Sequence, residues 1–149
     1  MEQKEMIDLL RQVASGTMDV EQAALKLKEE PFEDLGFAKI DHHRAMRQGV
    51  AEVIYGEGKT PEQIFRIAEA MKEKGQKAVL ITRMNKESAI YVGEHLELQY
   101  DEVSRIGFIG EAPRKDGDGK IVVATGGTSD IPVAEEAART AETLGNPFI

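Results

Sequence analysis

Residues 125–130 read Thr-Gly-Gly-Thr-Ser-Asp, set between an apolar run and a stretch with helical spacing. Two glycines, three hydroxyls and a carboxylate at the start of a helix make a recognisable chemical set. A glycine-rich turn that opens a helix leaves backbone N–H groups free at the positive end of the helix dipole, a place for an anionic ligand. Asp130 adds a negative charge, so the turn is no plain phosphate cradle; it suits a ribose hydroxyl or a proton transfer. The spacing is not G-x-G-x-x-G, and the dinucleotide fingerprint does not apply. A plainer reading has Ser129 and Asp130 only capping the helix. The candidates are Ser129 and Asp130 for chemistry, and Gly126, Gly127 and Thr128 for holding substrate.

A second set lies at residues 41–60. Residues 56–60, Gly-Glu-Gly-Lys-Thr, resemble a phosphate loop, but a Walker motif needs a glycine five residues before Gly58, where Val53 stands. The two glycines ahead of a capped helix still suggest open N–H groups at Thr60 and beyond, with Lys59 beside them for an anion. Upstream, Asp41, Arg44 and Arg47 are spaced by threes, so one helical face carries both guanidiniums, whose forks suit phosphate or carboxylate. A turn feeding a helix and a solvated charged face are the bland alternatives. Adjacent His42 and His43 diverge on a helix and His95 is distant, so surface or capping roles are expected and no metal site.

The elements that position these groups can be read from periodicity. Met6, Leu9, Leu10 and Val13 form one stripe of a helix over residues 2–14; Val20, Ala23, Ala24 and Leu27 form another, stopped by Pro31, so an αα-hairpin is expected. Short strands are expected over 37–40 and 52–55. Thr60-Pro61-Glu62-Gln63 is a strong helix start, with Ile64, Ile67, Ala68 and Met71 as its buried face and Gly75 as its end. Lys77 to Thr82 reads as a strand, Asn85 caps a short helix through Val92, Leu96, Leu98 and Tyr100 alternate, and 105–109 make another strand. The charged turn 110–119 marks a boundary. Beyond it, Ile121 to Ala124 reads as a buried strand. Val133, Ala134, Ala137, Ala138, Ala141 and Leu144 form the closely packing stripe of a helix with Pro132 in its first turn and Gly145 at its end.

Composition narrows the function classes. At 41% apolar and 31% charged residues the chain is an ordinary globular one, and its net charge of −8 disfavours nucleic acid and anionic membranes as partners. No apolar run approaches the roughly 20 residues that span a bilayer, and no signal peptide precedes the first helix, so a cytoplasmic location is expected. There is no cysteine, hence no thiol nucleophile or thiolate metal site in these 149 residues.

Residues 120–145 resemble the opening βα unit of the aminoimidazole ribonucleotide carboxylase (PurE) family, whose first strand ends in a Gly-Ser-x-Ser-Asp loop. Ser129 and Asp130 match its Ser-Asp, and Gly127 replaces its first serine. The wording TGGTSDIPVAEEAARTAE, together with D-x-x-R-x-x-R-x-G-x-x-E-V-I-x-G-E-G-K-T over 41–60, more specifically resembles LarB, the carboxylase/hydrolase of nickel-pincer cofactor synthesis. That resemblance implies an α/β fold: a helical hairpin (1–31), a small α/β accessory domain (32–118), then from 119 the opening of a PurE-like, flavodoxin-like parallel-sheet domain. It implies a reaction in which nicotinic acid adenine dinucleotide is carboxylated on its pyridinium ring with carbon dioxide or bicarbonate. Hydrolysis of the phosphoanhydride then gives AMP and pyridinium-3,5-biscarboxylate mononucleotide. No covalent cofactor is implied; magnesium for the hydrolysis and a homo-oligomer, octameric as in PurE-like proteins, are compatible with it. The family's nucleophilic cysteine lies later in the chain, so these residues are expected to be the N-terminal part of a longer enzyme and inactive alone. Arg44, Arg47, Lys59 and Thr60 become expected substrate ligands. The alternatives are a short chain whose last βα unit completes the neighbouring sheet, a non-catalytic nucleotide-binding or oligomerisation module, and a purine-type carboxylase.

Overall fold

In a computed structural model, the structure describes residues 3–27, 32–41, 52–111 and 119–149. It divides into two compact units, Met1–Glu52 and Val53–Ile149.

In the first unit, α1 (Gln3–Ala14) and α2 (Val20–Leu27) pack on each other, as the two stripes predict. The burial is thin. Leu9 and Ala23 are buried, whereas Leu10, Val20 and Leu27 of the expected stripes are exposed. A three-residue hairpin follows, β1 (Phe32–Asp34) antiparallel to β2 (Lys39–Asp41). Its turn is closed by Leu35 N–H donating to the Ala38 carbonyl at 2.9 Å, and Gly36 N–H donating to Asp34 Oδ1 at 2.8 Å. The strand expected over 37–40 is thus shifted to 39–41, because the chain must first turn through Gly36 at φ +83°.

The second unit is built on β3 (Val53–Tyr55), α3 (Pro61–Glu73), β4 (Ala78–Thr82), α4 (Lys86–Gly93), β5 (Leu98–Asp101) and β6 (Ile106–Gly110). The sheet order is β3-β4-β6-β5, with β3 parallel to β4 and the other pairings antiparallel. A parallel pair needs a crossover, which α3 supplies. Its start is the expected capping box. Thr60 Oγ1 accepts from Gln63 N–H at 3.2 Å, and Gln63 Oε1 accepts from Thr60 N–H at 3.0 Å. Its end is a Schellman turn on Gly75, with Gln76 N–H donating to the Met71 carbonyl at 3.1 Å. Ile64, Ile67, Ala68 and Met71 are buried as their spacing predicts. Asn85 caps α4 through Ser88 N–H at 2.8 Å.

Strand register decides which side chains share a face. Val79 and Ile81 pair with Ile109 and Gly107, and this face is closed by α3 and α4. Leu80 pairs with Phe108 on the other face, which is covered by α5 (Ile131–Thr143), so the unit has an α/β/α layering among its described residues.

The run over 121–124 differs from expectation. It is extended, but its pairing is a lone parallel bridge between Ile121 and Phe148; Ile121 N–H donates to the Pro147 carbonyl at 3.0 Å and Ile149 N–H to the Ile121 carbonyl at 2.9 Å. Ile121 and Val122 are exposed. The backbone thus follows a βαβ course around α5, yet among the described residues no strand of the β3-β4-β6-β5 sheet pairs with it, and of its apolar side chains only Val123 is half-buried. The stripe of α5 divides in the same way. Ala138 and Ala141 are buried, while Val133, Ala137 and Leu144 face solvent.

Gly110 shows how closely the sheet edge is drawn. At φ +104° an added Cβ would lie 2.0 Å from the Lys77 carbonyl oxygen. Gly110→Ala is therefore expected to lower stability by about 3 kcal/mol or more in a denaturant titration; a change below about 0.5 kcal/mol would contradict this register of β4 and β6.

Candidate functional site

β5 is antiparallel to β6, and β6 is antiparallel to β4, so β3, β4 and β5 all run in one direction. Their carboxyl ends lie on one edge of the sheet, the edge where open α/β sheets bind ligands. This edge collects Tyr55, the turn at 56–60, Arg83 and Asp101. Helix α5 lies against it: Arg83 Nε is 2.6 Å from Glu136 Oε2, and Arg139 Nε is 3.5 Å from Asp101 Oδ2. Arg83 itself stands at φ +54°, an uncommon conformation outside glycine. Between α5 and the sheet is a cleft of about 390 Å³ floored by Ile106 and Phe108 and rimmed by Asp101, Arg139, Glu142 and Thr143.

The turn at 56–60 is more fully occupied than the spacing suggests. Gly56 is required by close approach, since a Cβ there would meet the Thr82 carbonyl oxygen at 2.9 Å. Lys59 N–H donates to the Gly56 carbonyl at 3.1 Å, and Gly58 takes φ +77° to close the turn. Lys59 Nζ donates to the Tyr55 carbonyl at 2.8 Å, and the N–H of Thr60 is taken by Gln63. The expected open N–H at Thr60 is therefore absent, because the capping box satisfies it. Tyr55 Oη donates to Glu57 Oε2, a bond that raises the phenol's pKa, with desolvation and the Glu57 charge adding to it.

Residues 126–130 behave differently. Thr128–Asp130 form a 3-10 turn leading into α5, and all of 124–130 is exposed. Asp130 makes no side-chain cap bond, so the plain capping role for Asp130 is not realised. The polypeptide's own packing does not call for glycine here. Gly127 is extended at φ −155°, a Cβ on Gly126 would meet open space, and one on Gly127 would come no nearer than 3.9 Å to Asp130 Oδ2 and Ser129 Oγ. A hydroxyl and a carboxylate thus flank the same bare backbone.

Arg44, Arg47, His42 and His43 lie outside the described residues, whereas Asp41 ends β2. His95 is a helix-end residue. Its Nδ1 is 2.7 Å from the Tyr91 carbonyl oxygen, and its ring lies 4.8 Å from Phe65 and 4.7 Å from Tyr91. The residues that sequence reading missed are Tyr55, Glu57, Arg83 and Asp101, unremarkable until strand direction brings them to one edge, and Glu136 and Arg139 of the helix that packs there. The available signal was the spacing of Glu135, Glu136, Arg139 and Glu142 in an alanine-rich helix. Among the described residues no three His, Asp or Glu side chains are grouped to hold a metal ion, and no helix is long and apolar enough to cross a membrane.

Two measurements check this geometry. Thr60→Ala is expected to cost about 1 kcal/mol of stability, and Thr60→Ser much less, because only the hydroxyl acceptor matters to the cap; equal losses would argue against the capping box. Asp101 is held below its ordinary pKa of 3.8 first by the Ser104 N–H, with Val103 N–H and the Arg139 charge acting the same way. A depressed carboxylate stabilises the fold above its unfolded pKa and ceases to as pH falls through the folded one. The stability difference between wild type and Asp101→Asn should therefore shrink as pH is lowered below about 4; a difference independent of pH would contradict it.

Comparison with known proteins agrees with this architecture. The model of the LarB/PurE-like N-terminal domain matches residues 32–111, which include β1 through β6. An uncharacterized protein of Methanocaldococcus jannaschii is 29% identical, over 95% of this chain and 58% of its own length, so the chain spans somewhat over half of that relative. By its matching domain, the chain belongs to the LarB/PurE-like N-terminal domain family.

Proposed function

We propose that these residues are the N-terminal, substrate-holding part of a LarB-type carboxylase that acts on nicotinic acid adenine dinucleotide. The observation that carries the reading is the turn at 126–130: its glycines answer to no packing or backbone demand within the chain, and Asp130 is not spent on capping. A bare backbone beside a hydroxyl and a carboxylate is suited to close approach by a ligand. The parallel bridge from Ile121 to Phe148 supports the same reading, as it is the pairing expected where a parallel sheet begins.

The chemistry assigns roles. A pyridinium carbon is electrophilic and attacks carbon dioxide only after a nucleophile adds to the ring and makes it enamine-like. The thiolate for that step is not among these residues, which contain no cysteine; in this proposal it comes from another part of a longer chain. After carboxylation the ring loses its proton to a base and the nucleophile departs, restoring the pyridinium. Asp130 takes that proton or holds the ribose, Ser129 donates a hydrogen bond to the substrate, and residues 126–128 offer backbone to it. Arg44 and Arg47 pair with phosphate or carboxylate. Lys59 must first give up its bond to the Tyr55 carbonyl to do the same, and Thr60 joins through its hydroxyl rather than its N–H. Among the described residues no three carboxylate or imidazole side chains gather at one point, so a magnesium ion would rely on the substrate's phosphates for its ligands. Water cleaves the phosphoanhydride to release AMP. Homo-oligomer formation belongs to the same proposal.

A second reading, a nucleotide-binding module without catalysis, draws on the absence of cysteine. The two separate in full-length protein. Gly126→Ala is expected to leave stability within about 0.5 kcal/mol of wild type yet weaken turnover, and Asp130→Asn to lower turnover by about 100-fold or more. Full turnover in both variants would sink the assignment. Dinucleotide binding by wild type without any turnover would favour the module.

A further inference from the structure

We propose that Arg83 and Asp101 are positioning residues: through ion pairs with Glu136 and Arg139 they hold α5 on the carboxyl edge of the sheet, and so set the direction of the 126–130 turn. The link to catalysis rests on the functional reading above; the tether itself does not.

Helix α5 has little else to hold it. On its sheet-facing side the buried apolar residues are two alanines, Ala138 and Ala141, while its larger apolar residues Ile131, Val133 and Leu144 are exposed. Alanine side chains offer little shape that would resist a roll or tilt of the helix, and the ion pairs to the sheet supply that resistance. Glu136 meets Arg83 at 2.6 Å, and one turn later Arg139 meets Asp101 at 3.5 Å while donating to Glu142 Oε2 at 3.0 Å. Two anchors one turn apart fix both roll and tilt.

Both anchors on the sheet are themselves held. The Arg83 carbonyl accepts from Arg105 Nη2 at 3.2 Å, and the next residue, fully buried Met84, has its carbonyl bound by Tyr100 Oη at 3.0 Å and its N–H donated to the Arg105 carbonyl at 2.8 Å. Asp101 Oδ1 accepts the N–H groups of Val103 and Ser104, each at 2.9 Å, which leaves Oδ2 turned to Arg139. Asp130 precedes Glu136 by about 9 Å along the helix axis. A rotation permitted at the anchors is therefore carried directly to Ser129 and Asp130. In this arrangement the sheet of the small domain orients the turn through α5.

Hydrogen exchange on the full-length protein tests the tether. Arg83→Ala and Glu136→Ala should each speed exchange of the amides at 135–141 by about fivefold, while amides 79–81 of β4 keep their protection and report that the fold is intact. Arg83→Lys, which retains the charge, should stay near wild type. The double variant should exchange no faster than either single one, since both remove the same contact. Unchanged exchange in Glu136→Ala, or effects of the two substitutions that simply add, would overturn the proposal. Faster exchange accompanied by unaltered turnover would uphold the tether and instead overturn the catalytic reading of the turn.

Discussion

Two neighbouring strands that run parallel cannot be joined by a tight turn, and the pairing of β3 with β4 imposes this constraint on the second unit. The chain must cross over, so α3 is required, and its start and end are correspondingly strong: a full capping box at Thr60 and a Schellman turn at Gly75. The same pairing, extended through β6 to β5, brings three strand ends to one edge. Glycines at 56 and 110 allow that edge and its opposite to close, each standing where a side chain would strike a carbonyl oxygen. The charged groups that receive α5 are consequences of strand direction rather than of any local motif.

Helix α5 is the element whose environment is least typical. A surface helix ordinarily turns its apolar side inward and its charges outward. Here charges face the sheet in ion pairs, while Val133, Ala137 and Leu144 are exposed, as are Val122 and Ile149. The proposed function supplies a reason. A helix that opens a second, parallel sheet would keep its apolar side for that sheet and meet the first domain through polar contacts, which are strong only where both partners are held in place. That division would make α5 a joint between a rigid small domain and a catalytic one.

Much of the fold was legible in the residues. Helices α3 and α4 announce themselves through caps, and β4 and β6 through short β-branched runs between turn residues, because these signals are local. The hairpin of β1 and β2 is blurred, as strands of three residues carry almost no periodicity. The run at 121–124 has the composition of a buried strand, but burial depends on neighbours that local sequence does not specify; here it forms one bridge and remains exposed. The groups of the candidate site differ in how they show in the sequence. Ser129 and Asp130 stand out by type and spacing, whereas Arg83 and Asp101 are single residues whose partners lie far along the chain. Lys59 and Thr60 were readable as a loop, but the hydrogen bonds that occupy them follow from the turn through Gly58 and the Gln63 cap.

The most direct test of the central claim is a crystal structure of the full-length protein with nicotinic acid adenine dinucleotide bound. The account predicts hydrogen bonds from Ser129 and Asp130 to the dinucleotide, with Val133, Ala137 and Leu144 covered by a parallel sheet that begins at Ile121. A dinucleotide bound away from residues 126–130, or an α5 whose apolar side is still bare, would contradict it.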